Sequence, residues 1–249
     1  MDYPVILCIV TVVLLSASAR IGAIMRRRRR SDEELQQGEY GVVLSATLTL
    51  LGLLIGFSFS MAIGRYDQRK DYEEEEANAI GTEYQRADLL PDAARSVVRA
   101  QLVQYLDLRI RRYEAHASHD VTELAAKTAV LQDQMWKAVR DSAMAMRDPI
   151  SLAVLTGMND VINRQGYTQA ARWKRIPFPA WGLMITIALF SNFLIGYGES
   201  KPHIYTLLVV PLAISISFLL IADIDSPQGG LIRIRPQNLV TLADSLKPK

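Results

Sequence analysis

Four apolar segments divide this chain of 249 residues into parts suited to a lipid bilayer and parts suited to water. They lie at residues 5–25, 42–63, 180–197 and 205–222. A helix rises about 1.5 Å per residue, so roughly 20 apolar residues cross a hydrocarbon core of about 30 Å. A soluble protein would instead distribute its apolar residues in short periodic runs. The four blocks therefore predict an all-α integral membrane protein with four transmembrane helices.

The region between the second and third segments has no alternating strand pattern. Val98, Leu102 and Leu106 recur at helical spacing. We expect a soluble helical bundle here, with its last helix ending near Gly166 and with Arg109 on the surface.

The predicted organisation has four parts. A first transmembrane hairpin covers residues 1–64, and a soluble helical-bundle insert covers 65–176. A second hairpin covers 177–224, and a tail covers 225–249. The connector at 198–204 is so short that the third and fourth spans must be antiparallel neighbours.

A stripe of small residues runs along the second segment at spacings of three and four, which places its members on one face of a helix. The stripe consists of Gly41, Ser45, Thr49, Gly52, Gly56, Ser60 and Gly64. Such a stripe allows close packing of helices, or it lines an ion path with its hydroxyls and backbone facing the lumen. Phe57 and Phe59 flank it and are candidates either for a constriction or for packing between subunits.

Charged residues stand at the membrane edges of the second and fourth segments. Arg65 and Arg69 follow the second, and Asp223 and Asp225 end the fourth. Ion pairing between these residues is one interpretation, and contact with passing ions is the other.

Four consecutive glutamates follow at residues 73–76. Glu73 and Glu76 are candidates for an acidic vestibule, since a symmetric oligomer would repeat them in a ring that concentrates cations. A solvated run of charge is the alternative, because four consecutive residues cover the whole circumference of a helix.

Basic residues leave the membrane orientation in conflict. The run Arg26, Arg27, Arg28, Arg29 and Arg30 favours a cytoplasmic first loop and is suited to anionic lipid head groups. The ends of the other spans carry Lys and Arg on the opposite side.

Several classes of function lack support in the sequence. The formal net charge is only +2, which predicts no nucleic-acid partner. The sequence contains no nucleophile elbow, phosphate-binding loop or HExxH motif, so it does not predict an enzyme. His116 and His119 lack a third firm ligand, so we predict neither a metal nor a cofactor.

The second segment resembles the pore helix of bestrophins. The resemblance rests on Leu51-Gly52-Leu53-Leu54-Ile55-Gly56-Phe57 and on Arg65-Tyr66-Asp67 after it. The continuation at 76–91 is similar to bacterial four-span proteins classed as bestrophin-like, and residues 222–230 are similar to the turn after the last bestrophin span. Asp67 replaces an aromatic residue of the bestrophin motif, and no acidic cluster follows the turn, so the resemblance implies no calcium site.

What the resemblance implies is a homo-oligomeric ion channel, with a pentamer favoured, whose second helix lines the pore for inorganic ions. It slightly favours anions, and it implies a multi-pass protein of the plasma (inner) membrane with the insert and both termini in the cytoplasm. The alternative hypothesis is a non-conducting membrane scaffold or sensor whose insert binds a partner.

Overall fold

The computed structural model describes residues 4–28, 37–115, 118–198, 204–227 and 230–247. Within these ranges the chain forms eight α-helices and a short 3-10 turn, and no strand. The helices are α1 (Pro4–Arg28), α2 (Gln37–Arg86), α3 (Asp92–Glu114), α4 (Ser118–Met146), α5 (Pro149–Trp173), α6 (Phe178–Gly198), α7 (Ile204–Asp225) and α8 (Gln237–Ser245), with the 3-10 turn at Ala87–Leu89. The all-α fold class is confirmed.

Four helical stretches of the described chain are long and apolar enough to cross a membrane. They contain the four predicted segments, which fall in α1, the first half of α2, α6 and α7. The prediction of four transmembrane helices is therefore confirmed.

The chain divides into two compact units. The membrane unit contains Met1–Arg65 and Arg175–Arg233, and the insert unit contains Tyr66–Lys174 and Ile234–Lys249. Helix α2 belongs to both units, because its 50 residues pass without interruption through the boundary after Arg65.

Within the membrane unit, small residues bring α1 and α6 into close contact. A Cβ atom added at Gly22 would collide with the backbone of Phe193, and one added at Gly196 would collide with the backbone of Ala19. The hydroxyl of Ser18 donates a hydrogen bond to the carbonyl of Leu189 at 2.8 Å. Without side chains between them, the two backbones approach closely, which is how helices associate in lipid.

The insert unit has an apolar core formed by one face of each of its helices. Val98, Leu102 and Leu106 of α3 are at most 1% exposed, as their spacing predicts. A fully buried leucine stabilises the fold by about 1.5–3 kcal/mol through the hydrophobic effect.

Two predictions for the insert are wrong. Helix α5 does not end near Gly166 but continues to Trp173, because a glycine exposed to solvent is tolerated inside a helix that packs on other faces. Arg109 is not on the surface: it is 3% exposed, because it binds the buried carboxylate of Glu76.

Helix α8, which lies within the C-terminal tail predicted at residues 225–249, packs on the insert. Residues 234–249 belong to the insert unit. Leu239 of α8 is completely buried, and the side chain of Leu242 lies against Gly81 of α2. The carboxylate of Glu73 accepts a hydrogen bond from the backbone N–H of Leu239 at 3.0 Å, which satisfies a donor at the start of α8.

We expect Gly196→Ala to destabilise the protein by about 1–3 kcal/mol, because the added methyl group must displace the backbone of α1. Thermal unfolding in detergent, followed by tryptophan fluorescence, measures the change. Gly182→Ala on the same helix is the matched control, since a Cβ atom there meets nothing within 4 Å. Equal unfolding temperatures for the two variants would contradict this account of the α1–α6 contact.

Candidate functional site

The small-residue stripe of α2 points away from the rest of its own chain. All seven of its residues are exposed, and a Cβ atom added at Gly41, Gly52, Gly56 or Gly64 would meet nothing within 4 Å. The opposite face of the helix is the one that packs in the membrane unit, through Leu51, Ser58 and Ala62, which are 0–6% exposed. The stripe therefore packs against no part of the described chain, and it is available to lipid, to water or to another copy.

The stripe also carries hydroxyl groups, and those of Ser45 and Thr49 already use their hydrogen-bond donors. The hydroxyl of Ser45 donates to the carbonyl of Gly41, and that of Thr49 donates to the carbonyl of Ser45, each at 2.8 Å. What each hydroxyl presents outward is therefore its oxygen lone pairs, which can accept a hydrogen bond or contact a cation.

Phe57 and Phe59 lie on the exposed part of α2 as well. Their exposed fractions are 61% and 36%. Neither phenyl ring is thus part of the core of the membrane unit, and their role as a constriction or as a subunit contact stays a prediction.

The exposed face continues along α2 into the insert unit, where its chemistry changes. After Gly64 the spacing of three and four leads to Asp67, to Lys70 or Asp71, and to Glu74, all of which are exposed. Asn78, Thr82 and Gln85 follow on the same face, also exposed. This acidic column (Asp67, Asp71 and Glu74) was not predicted, although the spacing of the stripe continues into it beyond Gly64.

The glutamates predicted for an acidic vestibule lie on the inner face instead. Glu73 is 1% exposed and Glu76 is completely buried. Glu73 accepts hydrogen bonds from the amide of Asn238 and the backbone of Leu239. Glu76 binds the guanidinium of Arg109. Burial therefore contradicts the vestibule prediction for both residues, whose carboxylates hold the insert together. The alternative of a solvated run applies to Glu74, which is exposed, and not to Glu73 or Glu76.

At the membrane edge, the predicted pairing of an arginine with an aspartate is found between Arg65 and Asp225. Arg65 Nη1 lies 3.0 Å from Asp225 Oδ1. The second carboxylate oxygen accepts a hydrogen bond from the backbone N–H of Ile176 at 2.8 Å. Asp225 thereby joins the ends of three segments of the membrane unit: α2, α7 and the chain entering α6.

The other two edge residues have different surroundings. Asp223 is 3% exposed and accepts hydrogen bonds from the backbone N–H groups of Leu231 and Ile232, at 2.6 and 2.8 Å. It therefore fixes the chain after α7. Arg69 is 4% exposed and belongs to the insert unit. These positions support the structural interpretation of the edge charges.

The arginine run after α1 is described only in part. Arg26 donates to the carbonyl of Tyr197 at 3.1 Å and to that of Gly198, so it caps the end of α6. Arg27 is exposed and remains suited to lipid head groups, whereas the side chains of Arg28, Arg29 and Arg30 lie outside the described residues. His116 lies outside them too, and the part that is described contains no group of three metal-ligating side chains.

These features define a class: an all-helical membrane protein with four spans, a helical insert after the second, and a long second helix with one unoccupied face. The model of the bestrophin-like domain matches residues 8–239. The chain belongs to the bestrophin-like family.

Solved structures of bacterial bestrophins have the same fold. A bestrophin homologue from Klebsiella pneumoniae, phased with zinc, has a TM-score of 0.66 at 16% identity, covering 98% of this chain and 99% of the other. A single-residue variant of the Klebsiella pneumoniae homologue has a TM-score of 0.65 at 15% identity, covering 95% and 98%. No curated protein matches the sequence.

We expect a double-mutant cycle between Arg65→Gln and Asp225→Asn to give a coupling energy of about 1 kcal/mol or more, since the pair is a charge-assisted hydrogen bond with a largely buried acceptor. Chemical unfolding in detergent measures the four stabilities. The matched control is the cycle between Arg65→Gln and Asp223→Asn, which we expect to be additive. A coupling energy near zero in the first cycle would contradict the role given to this ion pair.

Proposed function

We propose that the chain assembles into a homo-oligomeric, bestrophin-type ion channel in which the stripe face of α2 lines the pore. The family and the fold support a bestrophin-type channel. The observation that carries the finer proposal is that the whole stripe is exposed although it lies on the longest helix of the described chain.

The composition of the stripe favours a pore or a subunit contact over a surface facing lipid. A face toward lipid normally carries large apolar side chains, whereas glycine exposes the polar backbone. A symmetric assembly, with a pentamer favoured by the resemblance, repeats the stripe around its axis. Small residues then leave an open path along that axis, and Phe57 and Phe59 supply the candidate apolar neck.

The acidic column gives the proposed pore a preference between cations and anions. Asp67, Asp71 and Glu74 are exposed on the face that the stripe begins, and Lys70 is exposed beside them, so an oligomer would repeat three acidic positions and one basic position. Rings of carboxylates raise the local concentration of cations and repel anions. We infer selectivity for cations, in contrast to the slight preference for anions that the resemblance to bestrophins implied.

For the location, we propose the inner membrane of a bacterium, with the insert and both termini in the cytoplasm. The Klebsiella pneumoniae relatives support a bacterial setting. Arg26 is weaker evidence against this orientation than its charge suggests, because its guanidinium donates hydrogen bonds to the last carbonyl groups of α6.

A non-conducting scaffold or sensor is the second candidate. It is favoured by large apolar side chains on the surface of the insert unit, namely Met144, Leu152 and Trp173, which are 64%, 61% and 73% exposed. Exposed apolar groups of this size suit contact with a partner protein. In this case the stripe would serve only contact between subunits.

We expect Gly56→Leu to reduce ion flux by roughly tenfold or more, because four added carbon atoms per subunit narrow the proposed path. Flux is measured from liposomes reconstituted with the purified protein, with potassium and chloride gradients tested separately. Gly182→Leu is the matched control, since this glycine of α6 also has nothing within 4 Å and lies outside the stripe. Absence of flux from a folded wild-type oligomer would refute the channel and leave the scaffold or sensor.

We expect Asp71→Asn combined with Glu74→Gln to shift the reversal potential toward that of chloride, because two rings of negative charge are removed. Bilayer recordings under a potassium chloride gradient measure the shift. Asp133→Asn is the control, since it removes an exposed carboxylate from α4 instead. A permeability ratio unchanged by the double variant would contradict cation selection by the acidic column, without bearing on whether the protein conducts.

A further inference from the structure

Glu83 occupies an exceptional position among the carboxylates of the insert unit. It is completely buried, and neither of its carboxylate oxygens has a hydrogen-bond partner in the described part of the chain. Glu73 and Glu76, about three and two turns earlier on the same inner face, each accept at least two hydrogen bonds. A buried carboxylate without hydrogen bonds is strongly disfavoured in its charged form.

Helix α5 closes over this carboxylate at Gly157. A Cβ atom added at Gly157 would collide with Glu83 Oε2, so the head group fills the space that a side chain would take there. Val154, Met158 and Val161, which flank the glycine along α5, are completely buried. The carboxylate therefore lies in a tight contact between α2 and α5 that the guanidinium of Arg86 shares, since an added Cβ atom at Gly157 would also collide with Arg86 Nη1.

Ionisable groups on the adjoining elements are engaged with one another. On α5, the guanidinium of Arg164 lies 3.1 Å from the carboxylate of Asp160. Between the 3-10 turn and α3, Arg99 lies 2.7 Å from Asp88. Neither pair supplies a counter-charge to Glu83.

Arg86, one turn further along α2, is the cation that acts on Glu83. Its Nη1 atom lies 4.0 Å from Glu83 Oε2, beyond hydrogen-bond distance, and its side chain is 40% exposed. Burial raises the pKa of Glu83 from 4.5 to about 8, and the attraction of Arg86 only partly opposes this rise. The carboxyl group thus holds its proton at neutral pH.

We propose that Glu83 is a proton-operated switch at the contact between α2 and α5: the protonated carboxyl packs against Gly157, and the ionised carboxylate loosens that contact. Above a pH of about 4.5, Glu83 keeps in the folded protein a proton that it has released in the unfolded chain. The stability of the contact therefore falls as the pH rises from about 4.5 to about 8. Above about pH 8 the carboxyl group of Glu83 is ionised, and the full free-energy cost of burying its charge is present. The switch does not depend on ion conduction.

Infrared difference spectroscopy and hydrogen exchange, both on the full-length protein in detergent, test the proposal. We expect a protonated-carboxyl band that disappears with a midpoint near pH 8, together with a loss of amide protection in α5 over the same range. Glu83→Gln should abolish both transitions. Glu74→Gln, which changes an exposed glutamate of the same helix, should retain both and provides the reference for intrinsic exchange at each pH.

Arg86→Gln keeps the proposal testable if Glu83→Gln does not fold. Removing the nearby cation should move the midpoint of both transitions to higher pH. The proposal is refuted if the band is absent at pH 7, if it persists in Glu83→Gln, or if protection of α5 changes with pH equally in Glu83→Gln and Glu74→Gln.

Discussion

A chain in hydrocarbon must satisfy its backbone hydrogen bonds within its own segment. This constraint favours continuous helices, and α2 is the helix that organises the fold. A transmembrane helix meets this constraint. Helix α2 continues beyond the membrane unit, and its 50 residues reach into the insert unit without interruption. Every side chain on α2 thereby has a defined angular position, set by a rotation of about 100° per residue. The two sides of the helix can then carry different chemistry along its whole length.

The inner side of α2 carries the groups that hold the protein together. Arg65 binds Asp225 in the membrane unit, and Glu76 binds Arg109 in the insert unit. Buried charges are costly unless they are paired, so removing either partner is more damaging than replacing both. Glu83 is the exception on this side, because it is buried without a hydrogen bond, and the fold tolerates it most readily as a neutral acid.

Periodicity in the sequence predicted the helices and much of the insert core, because burial on one face of a helix requires apolar residues every three or four positions. It did not predict which charged residues are buried. Glu73 and Glu74 are adjacent and chemically identical, yet one caps α8 and the other is exposed. That difference depends on contacts with helices far away in sequence, and no local pattern reports them. Gly166 was misread for a related reason, since packing of α5 overrides the weak helix propensity of one glycine.

The contacts on the inner side also determine what the outer side can do. Ser58 Oγ lies 3.2 Å from the sulfur of Met184, and the carboxylate of Glu73 lies 3.0 Å from the backbone nitrogen of Leu239 at the start of α8. Rotating α2 by one residue would break both contacts. Within each unit, such a bond fixes the angular setting of the part of α2 that belongs to that unit. The stripe and the acidic column are therefore presented outward by polar contacts that they do not touch. The proposal that the stripe lines a path for ions rests on its small residues, because a surface facing lipid would be served by larger apolar side chains.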